Sequence, residues 1–226
     1  MNILRKIFHL SPIGIQIYTR KFILKERRFD YQKKFVQFKV KDGDKVLDIG
    51  SGGSPFPYAT QLVDKYPEKT HHRYEKFKTN QLPFTQADVE KLPFEDKTFD
   101  YVYCSHVLEH VANPVQALNE IQRVGKRGFI EVPTKMSDTI FNYTRLGDFH
   151  KWYINKVGDK LVFIEYNENE LRDTGNKELF FMVHSLLTNS FKRMFHRNRD
   201  MFSCFYLWEN EIKYIVIDKN GNIISK

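Results

Sequence analysis

Lys45-Val-Leu-Asp-Ile-Gly-Ser-Gly-Gly-Ser-Pro-Phe-Pro57 decides how this chain reads. Val46, Leu47 and Ile49 form a short apolar run suited to a buried strand, and it breaks at once into a glycine-rich turn. Glycines at the end of a parallel strand let the backbone approach a bound ligand where any Cβ would collide. Asp48, two places before Gly50, bears on which ligand that is. A pyrophosphate favours an uncharged approach to a helix N-terminus. A carboxylate inside the turn suits a cationic ligand carrying an amino or sulfonium group instead. Alone, the turn reads equally as a loop that needs positive φ, so its meaning depends on the residues C-terminal to it.

From Lys45 to Thr134 short apolar runs alternate with polar or helical ones, the pattern of a parallel α/β sheet. Strands are predicted over Lys45–Ile49, Thr60–Asp64, Phe84–Asp88, Phe99–Ser105 and Phe129–Val132. Asn113 is placed to cap a helix that has Pro114 at its first position and apolar residues at helical spacing from Val115 to Val124. Gly125 and Gly128 bracket its end. Beyond Pro133 the spacing predicts a long aromatic loop or lid over Lys135–Trp152 and a strand over Lys160–Glu165. A helix over Leu179–Phe195 comes next, then a β-hairpin made of Cys204–Trp208 and Glu211–Ile217. The expected fold class is α/β, a Rossmann-like doubly wound, mostly parallel sheet with helices on both faces and a C-terminal β-hairpin.

At 226 residues the chain fits one medium domain with an appended element. Cys104 and Cys204 form no spaced framework and read as reduced thiols of a cytoplasmic protein. No run approaches the ~20 apolar residues of a membrane span, and His9, Ser11, Pro12 and Gln16 interrupt any signal-peptide core. The net charge of +8 is uneven: residues 1–41 hold eleven Lys or Arg against only Glu26 and Asp30. Basicity thus belongs to an N-terminal arm, with its best helix from about Tyr18 to Phe38. That arm reads as a helix packed on the domain edge, or as a surface that rests peripherally on anionic lipid at the inner face of a membrane. The near-neutral remainder argues against a nucleic-acid footprint over the whole domain.

Further motifs stand in a fixed order: Leu92-Pro-Phe94, Phe99-Asp100, Leu108-Glu-His-Val111, Pro114, Leu118, Glu120, Arg123-Val124 and Gly128. With the glycine turn, they make residues 44–134 resemble the core of class I S-adenosylmethionine-dependent methyltransferases, in particular the small-molecule group with a Leu-Glu-His-Val signature. The resemblance implies S-adenosyl-L-methionine as cofactor. It implies that Asp48, Gly50, Ser51, Gly52 and Gly53 hold the methionine portion, and that Asp64 accepts from the ribose hydroxyls. Asp88 would accept from the adenine amino group with the Val89 amide beside it, and Ser105 and His106 would floor the pocket. Ser54 and Pro55 stand where the family has a third glycine and a helix start, which implies a shortened first helix. Read from the residues alone, Asp64 also fits a turn and Asp88 a helix cap. The implied organisation is a basic arm over 1–41 and a methyltransferase domain over 42–226. That domain divides into a cofactor half, 42–134, and a substrate and lid half, 135–226.

His106, Glu109 and His110 would share one face of a helical turn. His110 there reads as a structural histidine, as a general base for a hydroxyl, or as part of a divalent-metal set with the other two, as in some quinone methyltransferases. Those relatives carry an acid where His106 stands, so no metal is expected. Phe149-His-Lys-Trp-Tyr153 supplies a second candidate base, His150, with Trp152 and Tyr153 excluding water; the alternative is a surface histidine. The expected activity is methyl transfer to oxygen of a small-molecule, glycan or lipid-linked acceptor, with His110 and His150 as catalytic candidates. The alternatives are an RNA methyltransferase gripping phosphates with its basic arm and a non-catalytic cofactor-binding relative. Strand Phe99–Ser105 ends in Cys-Ser-His rather than the Asn/Asp-Pro-Pro-Tyr/Phe of base-methylating enzymes, which disfavours RNA.

Overall fold

The computed structural model describes residues 28–68, 76–141, 150–167, 179, 182–183 and 189–225. The N-terminal arm before Arg28 lies outside them. Of the stretch predicted as helix from about Tyr18 to Phe38, the described part forms α1 (Arg28–Phe35), with residues 36–38 beyond its end. The next elements are β1 (Val46–Ile49), β2 (Gln61–Asp64), β3 (Phe84–Gln86), β4 (Tyr101–Ser105), α2 (Pro114–Val124), β5 (Arg127–Pro133) and α3 (Lys135–Phe141). The chain continues through β6 (Trp152–Val157), β7 (Lys160–Glu165), α4 (Ser190–Arg197), α5 (Arg199–Phe202), β8 (Ser203–Glu209), β9 (Tyr214–Ile217) and β10 (Ile223–Ser225).

The main sheet runs β3-β2-β1-β4-β5-β8. Its first five strands are parallel and β8 lies antiparallel to β5 over seven residue pairs, Arg127–Glu209 through Pro133–Ser203. Strand order reverses between β1 and β4, which opens a crevice at the carboxyl ends of those strands. A second sheet, β10-β9-β7-β6, packs against the first.

Alternation along the central strands explains both faces. Leu47, Ile49, Val102, Cys104, Ile130 and Val132 point to a core closed by α2 and by Ile154, Leu161, Phe163 and Val216 of the second sheet. Val46, Tyr101, Tyr103 and Phe129 point the other way, under the Val36–Phe38 segment that follows α1 and under Phe56. Helix α2 forms as its sequence predicts: the Asn113 side chain accepts from Gln116 N–H, Pro114 occupies the first turn, and Ala117, Leu118, Ile121 and Val124 are buried at helical spacing. Each of the three larger ones contributes about 1.5–3 kcal/mol through burial. No helix joins β1 to β2; in its place Phe56 lies flat on Tyr103, ring centroids 4.1 Å apart. The Ser54-Pro55 departure therefore marks a real truncation.

Three expectations need correction. Residues Lys135–Phe141 are helix, not loop, and Trp152 begins a strand. Trp152 is no lid residue, because it is buried and its indole N–H donates to Val111 O at 2.9 Å. The stretch Leu179–Phe195 is not one helix, since Asn189 has extended backbone and caps a new one at Ser190. Cys204–Trp208 and Glu211–Ile217 do not pair as a hairpin. The first adds to β5 as β8, while the second passes into the other sheet beside β7. The C-terminal hairpin exists one strand later, between β9 and β10. Trp208 explains this pairing and also Gly128: a Cβ at Gly128 would overlap the Trp208 indole and Val102 O.

The motif Leu92-Pro-Phe94 is tied to α2 by a charged clamp. Arg123 donates to Phe94 O at 2.6 Å, Leu92 O at 2.9 Å and both Glu120 oxygens, while Glu120 accepts from Leu92 N–H at 2.7 Å. Replacing Arg123 with Ala is expected to lower stability by about 1–2 kcal/mol, because a partly exposed guanidinium loses bonds to two carbonyls and to the carboxylates of Glu120 and Asp96. A urea-denaturation midpoint that does not move would remove the clamp's role.

Candidate functional site

Because β3, β2, β1 and β4 are adjacent and parallel, their carboxyl ends bring the glycine turn, Asp64, Asp88–Val89 and Ser105–His106 to one edge of the sheet. Gly50 and Gly52 have φ of 72° and 54°, a left-handed region that favours glycine. A Cβ on Gly50 would also overlap the Val107 side chain. The turn is braced from both sides: Asp48 Oδ2 accepts from Phe56 N–H at 2.7 Å, and Asp64 Oδ2 accepts from Gly52 N–H at 3.0 Å. Burial raises the Asp48 carboxyl to about 7, against the Phe56 hydrogen bond and the Arg28 charge. Ser51 Oγ is buried without a hydrogen-bond partner among the described residues. Asp88, two residues past the end of β3, accepts from Glu90 N–H at 3.0 Å and pairs with Lys65 at 2.6 Å, so it starts a local turn.

Past β4 the chain does not continue as helix. His106 has φ of 57°, an uncommon value for a non-glycine residue, and it leads into a tight turn in which His110 N–H donates to Val107 O. The predicted convergence of His106, Glu109 and His110 still occurs, by this turn. His106 Nδ1 stands 3.4 Å from Glu109 Oε1 and its Nε2 3.5 Å from Glu131 Oε1; His110 Nε2 stands 3.8 Å from Glu109 Oε1. Burial would discharge His106, but Glu131 and Glu109 overcome it and raise the imidazole to about 9. Burial likewise opposes the charge on Glu109, yet the His106 contact, with His110 and His150, holds that carboxyl at about 2.

Glu131 went unassigned, although a lone acid within the apolar run Phe129–Val132 is a signal the sequence carries. It is fully buried, and it accepts from Tyr31 Oη at 2.8 Å, Gln32 Nε2 at 2.5 Å and Ser105 Oγ at 2.8 Å. The Ser105 hydroxyl is therefore directed at Glu131. Asp138 is the second residue that sequence reasoning missed. It sits on α3, buried, with Oδ1 2.8 Å from His150 Nδ1 and Oδ2 accepting from Tyr166 Oη at 2.8 Å. No local pattern around Asp138 announces this pairing.

His150 is buried, not a surface residue, and its ring meets the His110 ring edge-on at 4.8 Å between centroids. Backbone bonds put it there. Lys151 and Trp152 N–H groups both donate to Glu109 O, at 2.7 and 3.3 Å. Two segments 40 residues apart thus bring His150, Glu109 and His110 together beside the glycine-turn edge, with Asp138 fixing the proton on His150 Nδ1.

Residues 47–130 match the family model described as a methyltransferase domain. An uncharacterized methyltransferase of Schizosaccharomyces pombe is 36% identical over 39% of this chain and 38% of its own length. The demethylmenaquinone methyltransferase of Lysinibacillus sphaericus is 31% identical over 57% of this chain and 60% of its own length. An uncharacterized protein of Methanocaldococcus jannaschii is 31% identical over 70% of both. For the first two, the chain spans less than two thirds of the relative.

The turn generates two expected outcomes. Gly50→Ala is expected to destabilise the protein by about 1–3 kcal/mol, from the left-handed backbone and the Val107 overlap; an unshifted thermal midpoint would refute the strain. Asp48, raised to about 7, contributes stability that is full in acid and is lost as pH rises from the usual carboxylate range through about 7. The stability of Asp48→Asn relative to the parent should therefore rise between pH 5 and pH 8 in urea titrations, and a constant difference would contradict the shift.

Proposed function

The chain belongs to the class I S-adenosylmethionine-dependent methyltransferases, and from that premise we propose that it methylates a hydroxyl oxygen of a small-molecule, glycan or lipid-linked acceptor. The observation that carries this reading is the Asp138–His150 pair, buried beside the donor edge with His110 against it. A carboxylate-fixed imidazole at that place suits removal of a hydroxyl proton. The name of the demethylmenaquinone relative, and the Leu-Glu-His-Val signature itself, support a small-molecule acceptor.

The residues at the edge fit the donor. Asp48 offers a carboxylate to a cationic amino acid end, Gly50 and Gly52 hold the turn in a left-handed conformation, and the Ser51 hydroxyl is buried with its hydrogen-bonding capacity unused among the described residues. Asp64 would take the ribose hydroxyls, and Asp88 with the Val89 amide the adenine. When bound, S-adenosylmethionine supplies a methyl carbon made electrophilic by its sulfonium. The protein's share is alignment and proton handling. His150, its Nδ1 proton held by Asp138, would take the acceptor proton at Nε2. His110 would line the same approach. Tyr166 keeps the Asp138 carboxylate in place by donating to its other oxygen. The basic arm would bring an anionic or lipid-linked acceptor to this edge.

Incubation with methyl-labelled S-adenosylmethionine and separated lipid, glycan, RNA and protein fractions tests the acceptor class. Label in the lipid or glycan fraction, or in extractable small molecules, is the expected result; label confined to RNA or protein would replace this reading. With the acceptor in hand, His150→Ala should lower kcat by about 10²–10⁴-fold while leaving cofactor affinity within a factor of two or so. Undiminished turnover would dismiss His150 as the base.

A further inference from the structure

We propose that Glu109, His110 and His150 form a binding site for one divalent first-row transition-metal ion, of the kind two imidazoles and a carboxylate select. One ligand atom from each lies within 4.8 Å of the others. Around a four-coordinate ion with bonds of about 2.0–2.1 Å, ligand atoms stand roughly 3.4 Å apart. The Glu109 Oε1 to His110 Nε2 separation of 3.8 Å is already close to this, so closure on an ion needs side-chain movements of about 1 Å.

Three further features point to an ion rather than to packing. The Glu109 side chain is 1% exposed, and among the described residues neither of its oxygens has a partner at hydrogen-bond geometry. A buried carboxylate is ordinarily saturated with donors, as Glu131 is, whereas Glu109 has the His106 and His110 rings at 3.4 and 3.8 Å without hydrogen-bond geometry, which leaves its oxygens able to take an ion. His150 has the carboxylate partner that metal-bound histidines keep on the ring nitrogen away from the ion, and that partner is itself fixed by Tyr166. A ring that donates Nδ1–H to a carboxylate ligates through Nε2. His110 is only partly buried, which leaves room for water or an acceptor oxygen to complete the coordination.

This ligand set differs from the one the sequence suggests. His106 is drawn between Glu109 and Glu131, and His150, from the far side of α3, takes its place. Two imidazoles and one carboxylate suit Zn²⁺, Fe²⁺, Co²⁺ or Mn²⁺ and disfavour Mg²⁺ and Ca²⁺, which prefer all-oxygen shells. An ion on Nε2 would leave His150 no free nitrogen for the proton-acceptor role proposed above, so the two are alternative states of one imidazole, and the ion site does not rest on that reading.

The test uses the full chain, stripped with chelator and titrated with Co²⁺ followed by its visible absorption, then with Zn²⁺ by calorimetry. One equivalent is expected, with imidazole-type Co²⁺ bands. Asp138→Asn should weaken binding about 10–100-fold, and Glu109→Gln, His110→Ala and His150→Ala by at least as much. His196→Gln, far along the sequence on α4, should leave it unchanged. Circular dichroism and retained S-adenosylmethionine binding establish that each variant is folded. Less than a tenth of an equivalent bound by the parent chain, or affinity unaltered in folded Glu109→Gln and His110→Ala, overturns the site. A chain that transfers methyl groups yet takes up no ion overturns it while leaving the methyl-transfer reading intact. Stoichiometric binding lost in the ligand variants upholds it whatever the acceptor proves to be.

Discussion

Glu131 is the constraint around which this structure is arranged. A carboxylate fully buried in the middle of β5 would cost several kcal/mol if it were left unpaired. Here it collects Tyr31 and Gln32 from α1, Ser105 from the end of β4, and the His106 imidazole from the turn beyond. Arg199, before β8, stacks over the Tyr31 ring at 3.8 Å and adds a cation on the same side. One charge thus joins the N-terminal helix, two central strands and the C-terminal part of the chain at the edge where the site lies. Burial works against that charge, yet His106, Arg199 and Arg28 hold the carboxyl well below its ordinary range.

That arrangement sets the geometry of the turn after β4. His106 takes a left-handed backbone conformation of the kind that persists only when surroundings hold it, and its ring reaches both Glu131 and Glu109. The turn then presents Glu109 O as a backbone acceptor, and the chain returning from α3 adds onto it through Lys151 and Trp152. His150 arrives with them. The polar group at this edge is therefore assembled by main-chain hydrogen bonds and one buried ion network.

The signature residues divide cleanly by what they touch. Glu120, Arg123, Leu92 and Phe94 form the clamp that holds the β3–β4 connection on α2, and Phe94 rests edge-on against Phe99 at 5.0 Å. Leu108 and Val111 are core. These positions carry the fold, and the polar members between them, Glu109 and His110, meet His150. A motif can therefore mark this architecture firmly and yet leave the acceptor open.

The five parallel strands, the capped helix α2 and the glycine turn were legible in the sequence because each rests on local chemistry: alternation or continuity of apolar residues, an Asn-Pro start, and glycines where φ is positive. The missing first helix was legible too, since Pro57 would fall inside it and Asp64 follows Gly50 too closely to leave room for a full crossover helix. Partnerships across long separations were not. Tyr31 and Glu131 are 100 residues apart, and Asp138 meets His150 only because α3 and the start of β6 fold against the same turn. Whether Cys204–Trp208 pairs with its sequence neighbour or with β5 likewise depends on which edge can receive Trp208, and Gly128 of β5 is where the indole fits. Local periodicity and backbone preference determined the frame of this protein. Only the tertiary packing decided which buried charges would find partners, because a carboxylate's need for a donor says nothing about where in the chain the donor comes from.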